Sequence, residues 1–238
     1  EMMDYFLNTE ECRPDQIKLY PTEVVPFTEI EKWYKEGTYT PYGTQGIIEV
    51  LSYYKPKIQH SIRINRVIRD IPSDYIMAGN DIPNMRQYLK ERGVECNCIR
   101  CREILDTPFD IKDLDLIIRE YNCCEGREYF ISYEHTPLNK ICGFIRLRLS
   151  PTAGLDIFDS LKGAALVREL HVYGKVVSTY ESISEVQNSG LGSQLLKKAE
   201  TIAMENGFNK VSIISGVGVR GFYRKNGYTL NTDGEFME

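Results

Sequence analysis

No stretch of this 238-residue chain is apolar over the roughly 18–20 residues that a bilayer span requires, and no signal peptide opens it. A membrane protein and a secreted precursor are therefore not expected. Its seven cysteines are odd in number and clustered, which argues against a disulfide-stapled scaffold and for a reducing, intracellular setting, read as cytoplasmic. Positive charge is not in excess either. Lys and Arg total 29 against 34 Asp and Glu, a net charge of −5, which is not the balance of a general nucleic-acid binder. Internal repeats and low-complexity tracts are absent. What remains is the composition of an ordinary globular protein, long enough for one large or two modest domains. The chain opens at Glu1 instead of an initiator methionine, so a piece of a longer protein is expected.

The most informative segment is Gln187-Asn188-Ser189-Gly190-Leu191-Gly192, which has the form Q/R-x-x-G-x-G/A and precedes the amphipathic run Leu195-Leu196-Lys197-Lys198-Ala199. Such a loop turns several backbone N–H groups toward one point, and its glycines let an anion approach with no Cβ in the way. The helix that follows adds its positive end, so the segment suits a pyrophosphate. Alone, the pattern fits a plain tight turn equally well. Its neighbours narrow the choice. Ala165–Tyr173 alternates and is rich in branched residues, as a strand does; Val211-Ser212-Ile213-Ile214 reads as a short buried strand; Arg220–Gly227 reads as a short helix closed by glycine. No acidic residue ends the second strand to hold a ribose hydroxyl, which argues against a dinucleotide-binding fold.

This order of strand, anion loop, helix, strand and short Tyr-bearing helix resembles the GNAT acyltransferases. Six further segments sharpen the resemblance: Pro14–Thr22, Arg66–Pro72, Cys98–Glu103, Ser132–Glu134, Arg168–Gly174 and Ile214–Gly218. Together they are similar to the tRNA uridine acetyltransferase family, the catalytic subunits of Elongator, over nearly the whole chain but only to the C-terminal part of such proteins. The resemblance implies an α+β fold in which a GNAT domain, residues 113–238, follows a truncated remnant of a radical SAM partial barrel, residues 1–92, and a cysteine-bearing connector, residues 93–112. Members carry an upstream iron–sulfur cluster and bind S-adenosylmethionine. The three closely spaced cysteines of that cluster have no counterpart here, so neither group is expected in this chain.

What the resemblance implies for the site is specific. Acetyl-CoA lies along Glu169, Leu170, His171 and Val172, where the strand splays from its neighbour, and its pyrophosphate sits on Gln187–Gly192 beside Phe222 and Tyr223. Tyr223 protonates the departing thiolate; a phenol of pKa ~10 suits a thiolate near ~8.5. Its plain alternative is a core aromatic. Glu169 and His171 are equal candidates for a general base or a water-ordering group, and His171 is equally a structural histidine. Lys18 lies on a segment that faces the acyltransferase in the family and is a candidate for substrate handling, against a solvent-facing strand lysine.

Cys96-x-Cys98-x₂-Cys101 offers three thiolates at a spacing able to hold one zinc, the metal some family members bind there. The fourth ligand is His60, Cys12 or a water, and free thiols are the alternative. Adjacent Cys123 and Cys124 cannot both face one side of a strand and read as core thiols. For the tRNA partner of the family, Lys55, Lys57, Arg63, Arg66 and Arg69 form a run free of acids, and Arg86, Arg100 and Arg102 form a second stretch; a solvated face is the bland reading. Other Elongator subunits are expected partners in a eukaryotic host. Transfer to protein lysine, or an RNA-binding assembly module with a vestigial cofactor site, are the competing functions.

Overall fold

The computed structural model describes residues 2–107, 109–154, 157–173 and 190–238. The chain forms two compact units. One comprises the residues up to Thr9 and Arg13–Arg102, the other Glu10–Cys12 and Glu103–Glu238.

The first unit contains α1 (Met2–Asn8), β1 (Gln16–Lys18), α2 (Glu29–Lys35), α3 (Thr44–Tyr54), β2 (Arg63–Arg66), α4 (Met85–Glu91) and α5 (Ile99–Arg102). Local signals set the ends of α2. Thr28 caps α2 by accepting from the Glu31 amide at 3.4 Å, and Gly37, at φ 74°, lets the chain leave the helix. β1 and β2 run parallel, with Ile17 opposite Ile64. Both face a core that also takes Leu51 of α3 and Met85 and Leu89 of α4. Cys98 is buried in that same core. The cysteine segment expected as a connector thus packs as part of the first unit, which ends at Arg102.

The second unit is built on a six-stranded sheet ordered β3 (Asp115–Cys123), β4 (Gly126–His135), β5 (Lys140–Leu149), β6 (Ala165–Val172), β7 (Val211–Ile214) and β8 (Phe236–Met237). The first four strands are antiparallel neighbours, β6 and β7 pair in parallel, and β8 returns antiparallel to β7. The crossover from β6 to β7 contains α6 (Leu191–Glu205), and α7 (Arg220–Lys225) follows β7. The α6 residues Leu191, Leu195, Leu196, Ala199, Ile202 and Ala203 fall on one face and are buried. They pack on the sheet face that carries Ile131, Ile145, Leu147 and Val167. Each buried leucine there contributes about 1.5–3 kcal/mol. The C-terminus closes as a hairpin, with Thr229 and Glu238 exchanging backbone bonds of 2.8 Å. Its strand also completes the main sheet. No helix among the described residues is long and apolar enough to cross a membrane.

The opposite face of the sheet is charged. Arg119 holds Glu134 with two bonds of 2.6 and 3.1 Å, Arg146 holds Glu169 at 2.9 Å, and Glu128 bridges Arg148 and Arg168 at 3.0 and 2.9 Å. Alternation along β4 and β5 puts these groups on one side and the aliphatic core on the other. Burial of such charges is tolerated because each has its partner.

Candidate active site

β6 changes phase in its middle. Arg146 pairs with Glu169 but Leu147 pairs with Val167, so Arg168 is an extra residue on β6. This bulge turns Arg168 and Glu169 both toward the charged face, and Leu170 resumes the apolar side, packed against the core. Pairing with β7 covers only Ala165–Val167, opposite Val211–Ile213. Beyond Val167 the two parallel strands part. The Tyr173 amide donates to Cys142 of β5 at 2.7 Å. By the alternation of strand amides, the N–H groups of Leu170 and Val172 point the other way, into the gap that β7 has left. Two parallel donors beside an opening are suited to a ligand's carbonyl and amide oxygens.

The start of α6 faces the same opening. Gly190, its N-cap, has φ 74° and ψ 8°, the left-handed region where glycine is unstrained. The first turn has no acidic residue, so its N-terminal amides and dipole stay available to an anion. A Cβ on Gly192 would lie 3.2 Å from the Phe222 ring and 3.6 Å from Val172 Cγ2. This glycine therefore brings the helix start, the parted strand and α7 into one place. Gln187, Asn188 and Ser189 lie outside the described residues.

One position beyond Phe222, Tyr223 is buried at 4% exposure, with its ring edge-on to Phe222 at 5.2 Å. Burial raises its phenol above the ordinary value, so it keeps its proton. Tyr228 packs beside it and donates to Glu200 at 2.7 Å.

The base candidates are not alike. The Glu169 carboxylate accepts from Nε of Arg146, whose side chain is 1% exposed and lies over the Phe130 and Phe144 rings. It is a held group. His171 is exposed, its ring tilted against Tyr173 at 4.4 Å and stacked with Phe144 at 6.2 Å. Lys18 is exposed on β1 of the first unit. Arg146 was not anticipated as a site-supporting residue, although Arg146 and Arg148, two apart in an apolar strand, carry the signal of a shared charged face.

In the first unit, Cys96, Cys98 and Cys101 bring their Sγ atoms within 4.8 Å of one another, a group able to hold a metal ion. Neither His60 nor Cys12 joins that group among the described residues. Two cations attend it. Arg86 Nη1 lies 3.3 Å and Lys55 Nζ 3.8 Å from Cys101 Sγ. Hydrogen bonds from Cys96 and Cys98, with the charges of Lys55 and Arg86 adding, hold the Cys101 thiol well below the ordinary thiol range.

The basic residues expected at an RNA surface divide sharply. Lys55 and Arg102 are each 1% exposed. Arg102 spends its guanidinium on the carbonyls of Asn97 and His60, at 2.9 and 3.0 Å. Arg86 turns inward to the Ile64 carbonyl at 2.6 Å. All three are engaged with the cysteine segment or its core, Lys55 and Arg102 buried and Arg86 half-buried, which corrects the expectation that they line an RNA surface: a run of charges in sequence does not reveal which of them turn inward. Arg66, Arg69, Lys57 and Arg100 are exposed, Arg66 pairing with Asp70 at 2.7 Å and Lys57 lying over Tyr53 at 3.3 Å. Arg63 is half-buried.

A bulged strand parting from its parallel neighbour, opposite a glycine-started helix and followed by a buried tyrosine, is an acyltransferase architecture. Residues 98–228 match the acetyltransferase (GNAT) family, and the chain belongs to it. Residues 14–93 match the radical SAM C-terminal domain. Over 232 residues the chain is 39% identical to the tRNA uridine(34) acetyltransferase of Dehalococcoides mccartyi, covering 91% of this chain and 49% of that protein. It is 34% identical to human Elongator complex protein 3, covering 97% of this chain and 44% of that one. The structure of Elp3 from the archaeon Methanocaldococcus infernus, with an N-terminal deletion, superposes with a TM-score of 0.82 at 32% identity, over 99% of this chain and 57% of that one. The chain thus spans about half the length of the curated relatives it matches.

Proposed function

We propose that this chain is the acetyl-CoA-handling part of a tRNA wobble-uridine (U34) acetyltransferase. The observation that carries the reading is the parting of β6 from β7 opposite the glycine start of α6, with a buried, protonated tyrosine beside the opening. The names of the relatives supply the tRNA half of it. Acetyl-CoA provides an acetyl group already activated as a thioester. Around it, the Leu170 amide is the donor for the thioester oxygen and the Val172 amide a donor for the pantetheine arm. The first-turn amides of α6 receive the pyrophosphate. One such oxyanion donor is worth on the order of 10²–10³ in rate. Tyr223 gives its proton to the leaving thiolate, and its burial keeps that proton available at neutral pH. Arg146 fixes Glu169 at the bulge, which makes that carboxylate an orienting group for the strand.

The cysteine group fits zinc. Tetrahedral zinc with Zn–S bonds of ~2.3 Å separates its sulfurs by ~3.8 Å, within the spread seen for Cys96, Cys98 and Cys101. Three thiolates and a divalent ion leave one negative charge, which the adjacent Lys55 and Arg86 offset. Its role is structural, holding residues 96–102 against the first unit's core. For tRNA, the exposed Lys57, Arg66, Arg69 and Arg100 are the proposed phosphate contacts, acting locally because screening confines each charge to about 8–10 Å.

The deciding experiment is turnover of radiolabelled acetyl-CoA with and without tRNA, with a histone peptide as competing acceptor. Release of acetate or labelling stimulated by tRNA supports the reading. Label in the peptide with no response to tRNA would replace it by lysine acetyltransfer. Metal analysis of the same preparation should return one zinc per chain.

A further inference from the structure

The hairpin joining β3 to β4 carries two thiols that the proposed reaction does not use. Cys123 ends β3, and Cys124 and Glu125 adopt left-handed backbone angles, φ 44° and 60°, to turn the chain into β4. On a continuous strand, adjacent side chains point to opposite faces. The turn removes that separation and brings the two Sγ atoms to 3.8 Å. Cys124 is exposed and Cys123 half-buried, so the reading of both as core thiols is corrected. Arg148 pins the turn by donating to the Cys123 carbonyl at 3.0 Å and the Cys124 carbonyl at 2.6 Å. Its guanidinium is in turn held by the buried Glu128 at 3.0 Å.

This geometry disfavours the obvious product, a bond between the two sulfurs. Consecutive Cα atoms are about 3.8 Å apart, whereas cysteines joined by a disulfide usually keep theirs about 4.4–6.8 Å apart. Two sulfurs this close can both reach one soft centre: bonds of ~2.3 Å span sulfurs ~3.8 Å apart in tetrahedral array, and a pyramidal trivalent centre, whose bond angles are smaller, needs them only slightly closer. The pair is thus pre-set to close on a ligand and not on itself. We propose that Cys123 and Cys124 form a surface dithiol site that takes a soft thiophilic centre of the trivalent-arsenic class across its two sulfurs. Cys124, being exposed, captures first. Burial, then the neighbouring Cys124 and Glu128, push the Cys123 thiol up to about 11, so it releases its proton only as the second bond forms. With an organic arsenoxide the arsenic–oxygen double bond breaks and two arsenic–sulfur bonds form. The oxygen leaves with both thiol protons as water, and no oxidation state changes.

Phenylarsine oxide is the probe, and tryptic mass mapping locates it. The peptide from Glu120 to Arg127 contains both thiols and no other cysteine, whereas Cys96 and Cys98 fall together in the peptide from Gly93 to Arg100. One adduct is expected on the 120–127 peptide of the intact chain, resistant to excess monothiol, removed by ethanedithiol, and lost in both Cys123→Ser and Cys124→Ser. Cys124→Ser changes only an exposed turn position and covers the case in which Cys123→Ser fails to fold. Three results would each overturn the site: no adduct on this peptide while Cys124 still reacts with iodoacetamide, an adduct in Cys123→Ser that survives the monothiol wash, or a 123–124 disulfide in untreated protein.

Discussion

Replacing Gly190 separates the two things a glycine does at the start of α6. At φ 74° and ψ 8° an L-residue is strained by roughly 1–2 kcal/mol. A Cβ there would meet nothing closer than Gln194 Nε2 at 4.0 Å, so strain is the whole structural cost and there is no clash. At about 2–8 °C per kcal/mol for units of this size, Gly190→Ala should lower the melting temperature by roughly 2–16 °C. Asparagine tolerates left-handed angles, so Gly190→Asn should keep most of that stability. Affinity should behave differently. In either variant the side chain stands where the anion must approach the helix-start amides, and calorimetry should show acetyl-CoA at least tenfold weaker, a loss of about 1.4 kcal/mol or more. A folded Gly190→Asn protein with unchanged affinity would refute the reasoning, because the pyrophosphate would then approach elsewhere.

Tyr223→Phe removes only a hydroxyl, so acetyl-CoA turnover should fall on the order of 10²-fold with affinity within about tenfold; turnover at the starting rate makes Tyr223 packing alone. Because burial raises its phenol, this acid should be lost only above the pH at which an ordinary tyrosine ionises, and a rate that falls earlier through ionisation of Tyr223 would contradict the shift. Cys142, fully buried, is pushed from an ordinary 9.0 up to about 12 by burial and then by Glu134. The native state keeps a proton that the unfolded chain loses, so the contribution is intact below pH 9 and is lost as pH rises toward 12. In urea titrations at pH ~10.5 compared with pH ~8, the wild type should lose about 2 kcal/mol more than Cys142→Ala, and equal losses would contradict the shift. Charge reversal at Arg66 and Arg69 should weaken a tRNA mobility shift and flatten its salt dependence by about one unit for each phosphate no longer neutralised. Lys55→Met should instead act on the folding of the first unit, and a shift indifferent to Arg66 and Arg69 would move the RNA surface elsewhere.

Local signals made much of this fold readable. The Thr28 cap and Gly37 stop delimit α2, and the branched run from Ala165 marks β6, because each is written in neighbouring residues. The bulge at Arg168 was not readable. Apolar residues at 165, 167 and 170 look like an imperfect alternation until the register with β5 shows that the phase slips there. That slip is also what engages Glu169 with Arg146, so a carboxylate that looks like a catalytic base in sequence is a clamped group in the fold. The cysteine triplet was legible from spacing. The roles of Lys55, Arg86 and Arg102 were not, since only tertiary packing shows that three of the eight basic residues have turned inward. Cys123 and Cys124 were misread for a related reason: strand alternation was assumed through a point where two left-handed residues end the strand.

Amide hydrogen exchange with and without acetyl-CoA tests the central claim most directly, because it reports on the backbone donors themselves and needs no variant. The account predicts new protection at Leu170 and Val172 and in the first turn of α6, with the β5-paired amides of Glu169 and His171 unchanged. Binding that leaves Leu170 and Val172 exchanging at their free rates, or that protects a different surface, would contradict it.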